Sequence, residues 1–125
     1  MSEFSELVGK TLVSVAGAKK DSEEIVFMCS DGTAYKMYHQ QDCCESVWVE
    51  DVCGNPDTLL GSPLVIAEES CSSDVNPEGL MPPERYQDSF TWTFYRLASV
   101  GGSVTIRWYG ESNGYYSESV DFVTI

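Results

Sequence analysis

Long apolar runs are missing from this sequence, and none approaches the roughly 18 residues a membrane-spanning helix requires. Histidine is nearly absent: His39 is the single one among 125 residues, so any imidazole chemistry depends on it alone. Bases are scarce too, with seven Lys and Arg against twenty Asp and Glu, a formal net charge of −13. A field of that sign repels nucleic acid, whose binding rests on Lys and Arg displacing counterions from phosphate, and it repels anionic membranes. Neither partner is expected. Gly-rich phosphate loops, G-x-S-x-G and C-x2-C pairs are also lacking, as are repeats of solenoid length. The N-terminus carries acids where a signal peptide carries bases, and no apolar segment follows. Secretion is therefore not expected, and the odd count of five cysteines (Cys29, Cys43, Cys44, Cys53, Cys71) points to reduced thiols in a cytoplasm, not to a disulfide framework. Neighbouring Cys43 and Cys44 on an extended strand would face opposite ways, so they do not readily share one metal ion.

What is present is apolar and aromatic side chain enough for one core: 42% hydrophobic and 12% aromatic residues. A chain of this length fits a single domain, 1–125. Short alternating runs dominate. Leu7–Val15 reads as a first strand, Glu24–Cys29 and Thr33–His39 as a hairpin about Asp31-Gly32, and Val47–Val52 as a fourth strand. Asn55 as cap and Pro56 at the first helical position predict a short helix within 54–61, after which Pro63–Glu69 resumes the strand pattern. Residues 70–88, rich in Ser, Pro and acid, read as an exposed loop. Ser89–Ser99 alternates cleanly, with Phe90, Trp92 and Phe94 on one face and Thr91, Thr93 and Tyr95 on the other. Gly101-Gly102 turns that strand into Ser103–Tyr109, and Asn113-Gly114 predicts a closing hairpin across residues 104–122. The expected fold is mainly β: one domain of about eight strands in a bent or partly closed antiparallel or mixed sheet, with one short helix.

Three groups of side chains are candidates for function. The acids are concentrated in the first two-thirds of the chain, and those at 42–51 and 68–88, among them Asp42, Glu45, Glu50, Asp51, Glu68, Glu69 and Asp74, form a surface suited to a basic partner; the plain alternative is a solvated acidic face. Arg107, Trp108, Tyr109, Asn113, Tyr115 and Tyr116 could wall a pocket in which the Arg holds a phosphate or carboxylate and the rings stack a base. Against this, Trp108 would be core and Arg107 would pair a local acid such as Glu111 or Asp121. His39, Asp42, Cys43, Cys44 and Glu45 are the densest titratable set, readable as a metal or thiol site with His39 as base or ligand, or as a polar turn with buried thiols.

The strings His39-Gln-Gln-Asp-Cys-Cys-Glu-Ser-Val47, Leu60-Gly-Ser-Pro63 with Ala67-Glu-Glu69, Thr91-Trp-Thr-Phe-Tyr95 and Ile106-Arg-Trp-Tyr-Gly-Glu-Ser-Asn-Gly-Tyr-Tyr-Ser-Glu118 resemble an uncharacterised family of small bacteriophage and prophage proteins. The resemblance covers the chain from about residue 7 onward and carries no known reaction or catalytic residue. It implies a viral gene product acting in a host bacterial cytoplasm, where small acidic accessory proteins bind and block host or defence machinery. The leading expectation is thus a non-enzymatic protein that inhibits a basic host or defence protein, with no cofactor. A second is a small-ligand binder that sequesters a nucleotide-like anion in the Arg107 region, at an interface between copies of the chain. The third, ranked last, is an enzyme or metalloprotein centred on His39, Cys43 and Cys44.

Overall fold

The computed structural model describes residues 3–73, 89–113 and 117–125. Among these residues eight strands are arranged in two antiparallel sheets. In chain order they are β1 (Leu12–Ala16), β2 (Glu24–Cys29), β3 (Ala34–Tyr38), β4 (Ser46–Cys53), β5 (Ile66–Ser73), β6 (Ser89–Ser99), β7 (Gly102–Ser112) and β8 (Asp121–Thr124). The first sheet has the order β1-β2-β3-β8 and the second β4-β7-β6-β5. The mainly β reading holds. The short helix is a 3-10 turn at Pro56–Leu59, with the Asn55 side chain accepting from the Asp57 N–H at 3.0 Å. A second 3-10 turn, Phe4–Leu7, precedes β1, so the first strand starts later than its alternation predicts. Among the described residues no helix is long and apolar enough to cross a membrane.

Periodicity explains the elements it located well. In β2, Ile25, Phe27 and Cys29 are buried while Glu24 and Met28 face out, and the Asp31-Gly32 turn returns the chain into β3 with Phe27 opposite Tyr35. Gly32 has φ +90°, the left-handed conformation that such a turn demands. Residues β6 and β7 pair along their whole length, Ser99 opposite Gly102, leaving a two-residue link. The main core lies between the sheets. Ile25, Phe27, Tyr35, Met37 and Phe122 enter it from the first, and Val47, Val49, Tyr95, Leu97, Ile106 and Trp108 from the second. The Phe4 ring closes one end, 4.8 Å from Tyr95 and 5.3 Å from Phe122 between centroids.

The closing hairpin is the main correction. β7 continues to Ser112 and already has β4 on one edge and β6 on the other, so neither backbone edge is open to a returning strand. The chain therefore leaves that sheet, and β8 pairs with β3 in the opposite one, Phe122 opposite Met37. Of the 70–88 stretch, 70–73 are strand, extending β5; residues 74–88, with Asp74, lie outside the described residues, as do Gly114, Tyr115 and Tyr116.

The two faces of β6 carry a second surprise. Tyr95 and Leu97 belong to the main core, while Phe90 and Trp92 join Tyr109 in a separate aromatic cluster on the other face of the sheet. Alternation separates the faces correctly but does not say which one meets the other sheet. The Phe-Trp-Phe face is the more apolar by composition, yet the Thr-Thr-Tyr face is turned inward.

Candidate functional site

The bend between β3 and β4 is folded around one carboxylate. Glu45 is buried, 3% exposed, and its oxygens accept from the Asp42 N–H (3.0 Å), the Cys43 N–H (2.8 Å), the Gln41 amide (3.0 Å) and His39 Nε2 (2.9 Å). His39 Nδ1 in turn donates to the Ser119 carbonyl at 2.7 Å. Burial pushes the Glu45 carboxyl up, but the Cys43 N–H, the His39 ring and the Asp42 N–H more than reverse this and hold it at about 2. Both ring nitrogens of His39 are thus taken up in hydrogen bonds, Nε2 with the Glu45 carboxyl and Nδ1 with the Ser119 carbonyl. Among the described residues no three His, Cys, Asp or Glu side chains are grouped to hold a metal ion. The sequence set His39, Asp42, Cys43, Cys44 and Glu45 is brought together around the Glu45 carboxyl, and His39 ties the bend to Ser119.

Cys43 and Cys44 are joined to each other by a disulfide, which corrects the expectation of five reduced thiols. The opposite-faces argument fails because these residues lie in a bend and not in a strand, so their sulfurs can meet. Cys29, Cys53 and Cys71 are free.

The depressed titration of Glu45 sets a pH prediction. The unfolded carboxyl protonates near 4.5 and the folded one near about 2, so the stability this group contributes is complete above about pH 4.5 and is lost as pH falls toward about 2. Chemical denaturation of wild type and Glu45→Gln should show a stability gap that narrows over that window. A gap of constant size from pH 5 to about pH 2.5 would contradict the assignment.

The aromatic and Arg set does not form one pocket. Arg107 and Tyr109 project from one face of β7, while Trp108 projects from the other into the core, donating its indole N–H to Met37 Sδ at 3.1 Å. Arg107 is engaged, but by Glu50 and Asp51 across the β4 pairing and not by Glu111 or Asp121: Nη2 lies 2.8 Å from Glu50 Oε1 and 3.3 Å from Asp51 Oδ2, with Nε 3.2 Å from Glu50 Oε2. The Glu50 hydrogen bonds raise the Arg107 pKa. Tyr109 packs against Trp92, Trp48 and Phe90, and Asn113 is exposed.

Two adjoining concavities lie along β5. One, of about 320 Å³, is lined by Glu69, Cys71, Thr91, Thr93 and the 117–120 segment with Glu118. The other, of about 330 Å³, lies between β5 and the Phe4–Leu7 turn and is lined by Glu3, Phe4, Ser5, Ala67, Glu68 and Glu69. Glu69 belongs to both, and among the described residues no Lys or Arg lines either. Glu118 is held by the hydroxyls of Thr91 (2.7 Å) and Ser112. The Tyr95 hydroxyl, opposite Glu69 in register, is buried without a hydrogen-bond partner among the described residues. Burial first, and then the neighbouring Glu69 carboxylate, push its phenol strongly up. Sequence reasoning picked out Glu68 and Glu69 but not Glu3, Glu118 or Tyr95. No local signal marks these three, because their meeting depends on which face of β6 turns inward, and alternation leaves that open.

Of the acids first singled out, Glu45 is turned inward and Glu50 is spent on Arg107. Asp42, Glu68 and Glu69 are exposed.

A family model described as a domain of unknown function (DUF7448) matches residues 5–122. No curated protein and no solved structure matches.

Proposed function

The chain belongs to the DUF7448 family, and from that premise we propose that it is a non-enzymatic binding module whose acidic groove along β5 receives a Lys- or Arg-rich segment of a partner protein. The carrying observation is the pair of concavities that share Glu69 and are lined by Glu3, Glu68, Glu69 and Glu118, with no Lys or Arg among the described lining residues. Elsewhere three of the seven bases are ion-paired within the chain: Lys10 with Asp31, Lys36 with Glu24, and Arg107 with Glu50. The Arg96 to Glu68 contact, at 3.8 Å and well exposed on both sides, is the kind of surface pair a partner's cation displaces at little cost. With the phage origin implied by the sequence resemblance, the partner is a basic host or defence protein, and occupancy of its cationic surface is the means of inhibition. The nucleotide reading gains no support, because the Arg107 guanidinium is engaged and Trp108 lies on the far side of the strand.

Charge reversal supplies the test. Immobilised protein should retain basic proteins from bacterial lysate, and bind an oligolysine peptide, at low salt, with retention falling as salt screens the contact. The double variant Glu68→Lys, Glu69→Lys should weaken peptide binding about tenfold or more, roughly 1.4 kcal/mol, while Glu23→Lys, Asp57→Lys, the same charge change at exposed positions outside the groove, leaves it close to wild type. Equal loss from both variants reduces the effect to net charge and sinks the groove. Absence of any retained basic protein at low salt sinks the function.

A further inference from the structure

Cys43 and Cys44 are both exposed, and their disulfide closes a small ring that runs through the peptide bond between them. That ring is wired to the Glu45 anchor twice. The Cys43 N–H donates to Glu45 Oε1, and the Cys43 carbonyl accepts from the Gln41 amide at 3.1 Å, the same amide that reaches the Glu45 backbone oxygen at 2.7 Å and side chain at 3.0 Å. While the ring is closed, the Cys43 carbonyl cannot turn independently of the bend. Opening it frees that peptide and loosens Gln41, and with it one donor on the buried carboxylate. Exposed disulfides belong to the labile class that small thiols can reach, and a reducing compartment does not preserve them passively.

We propose that Cys43–Cys44 is a reversible thiol–disulfide modification site that controls how firmly Glu45 and His39 anchor the β3 to β4 bend. In the reducing direction a thiolate of a low-molecular-weight thiol attacks one sulfur, the S–S bond breaks, and the other sulfur leaves as thiolate and takes up a proton. A second thiol then displaces the mixed disulfide. Two electrons and two protons reach the protein, and the small thiol leaves as its own disulfide. The reduced form presents two adjacent thiols, the ligand pair suited to a trivalent arsenical: phenylarsine oxide would form two As–S bonds and release its oxygen with both thiol protons as water.

The test uses the full chain, acid-quenched, denatured and alkylated with N-ethylmaleimide before mass spectrometry. Air-oxidised protein should take three adducts, at Cys29, Cys53 and Cys71, and reduced protein five, the two new ones mapping to the 43–44 peptide. Reduction should lower the melting temperature by about 4 °C or more if one hydrogen bond to Glu45 is lost, reversibly on reoxidation. It should also create capture of one phenylarsine oxide. The double variant Cys43→Ser, Cys44→Ser should take three adducts in either state, bind no arsenical and melt independently of reductant. Five adducts in the air-oxidised protein would overturn the disulfide. A wild-type melting curve indifferent to reduction, despite five adducts after it, would overturn its control of the anchor.

Discussion

Replacing Trp108 by Ala is expected to cost about 3–5 kcal/mol, the largest single loss predicted for this chain. The side chain is 0% exposed and sits between the sheets, packed in the cluster that holds Val47, Val49 and Met37. Truncation removes a large apolar surface and leaves a cavity bounded by strands from both sheets, which cannot collapse without bending β7 away from β4 or β6. The indole N–H to Met37 Sδ contact adds little, being a weak acceptor interaction, so the cost is mainly packing. Trp108→Phe, which keeps much of the ring volume, should therefore lose far less. Guanidinium denaturation followed by far-UV circular dichroism measures both. Since domains of this size have only about 5–15 kcal/mol of stability, Trp108→Ala should be marginal at 37 °C. Equal, small losses for both variants would mean that the sheets do not pack through this residue.

The second large effect is at Gly54, which follows β4 with φ +102°. A Cβ there would stand 2.5 Å from the Ser103 carbonyl oxygen and 3.3 Å from Val104 Cα, both backbone atoms of β7. Val104 is itself core, 1% exposed, so β7 cannot retreat without disturbing the packing behind it. Strain of the backbone and overpacking act together, and Gly54→Ala should cost about 2–4 kcal/mol. Gly32 provides the control. Its φ is +90° but a Cβ meets nothing within 4 Å, so Gly32→Ala carries the backbone strain alone, about 1 kcal/mol. Denaturation midpoints of the two variants separate the contributions; identical losses would show that the approach of Gly54 to β7 has no energetic weight.

The proposed acidic groove and the proposed thiol–disulfide site make separable demands. Charge reversal at Glu68 and Glu69 should leave alkylation of the 43–44 peptide unaffected, because among the described residues the β5 groove meets the Glu45 anchor at the 117–120 segment, where Ser119 both lines the groove and accepts from His39. That segment is also where the expected hairpin would have returned, which is why the structure joins parts that looked unrelated along the chain.

How much of this was legible beforehand depended on whether the determining forces were local. Ser89–Ser99 and Glu24–Cys29 announced themselves by period-two alternation, and Asn55-Pro56 by cap and φ preferences, since each is set by residues within a few positions of one another. The negative charge and the shortage of imidazole were likewise fixed by composition. What the chain alone could not decide was partnership. Whether Asn113-Gly114 closes a hairpin depends on whether β7 has a free edge, and β4 and β6, distant in sequence, had already taken both. Whether Glu45 is a surface acid or a buried anchor depends on His39 meeting Ser119 eighty residues away. Which face of β6 turns inward depends on where the other sheet lies, and which acids share a groove depends on the Phe4–Leu7 turn packing on β5. Hydrogen-bond edges and buried volume are each used once, and only the assembled sheets settle which residues claim them.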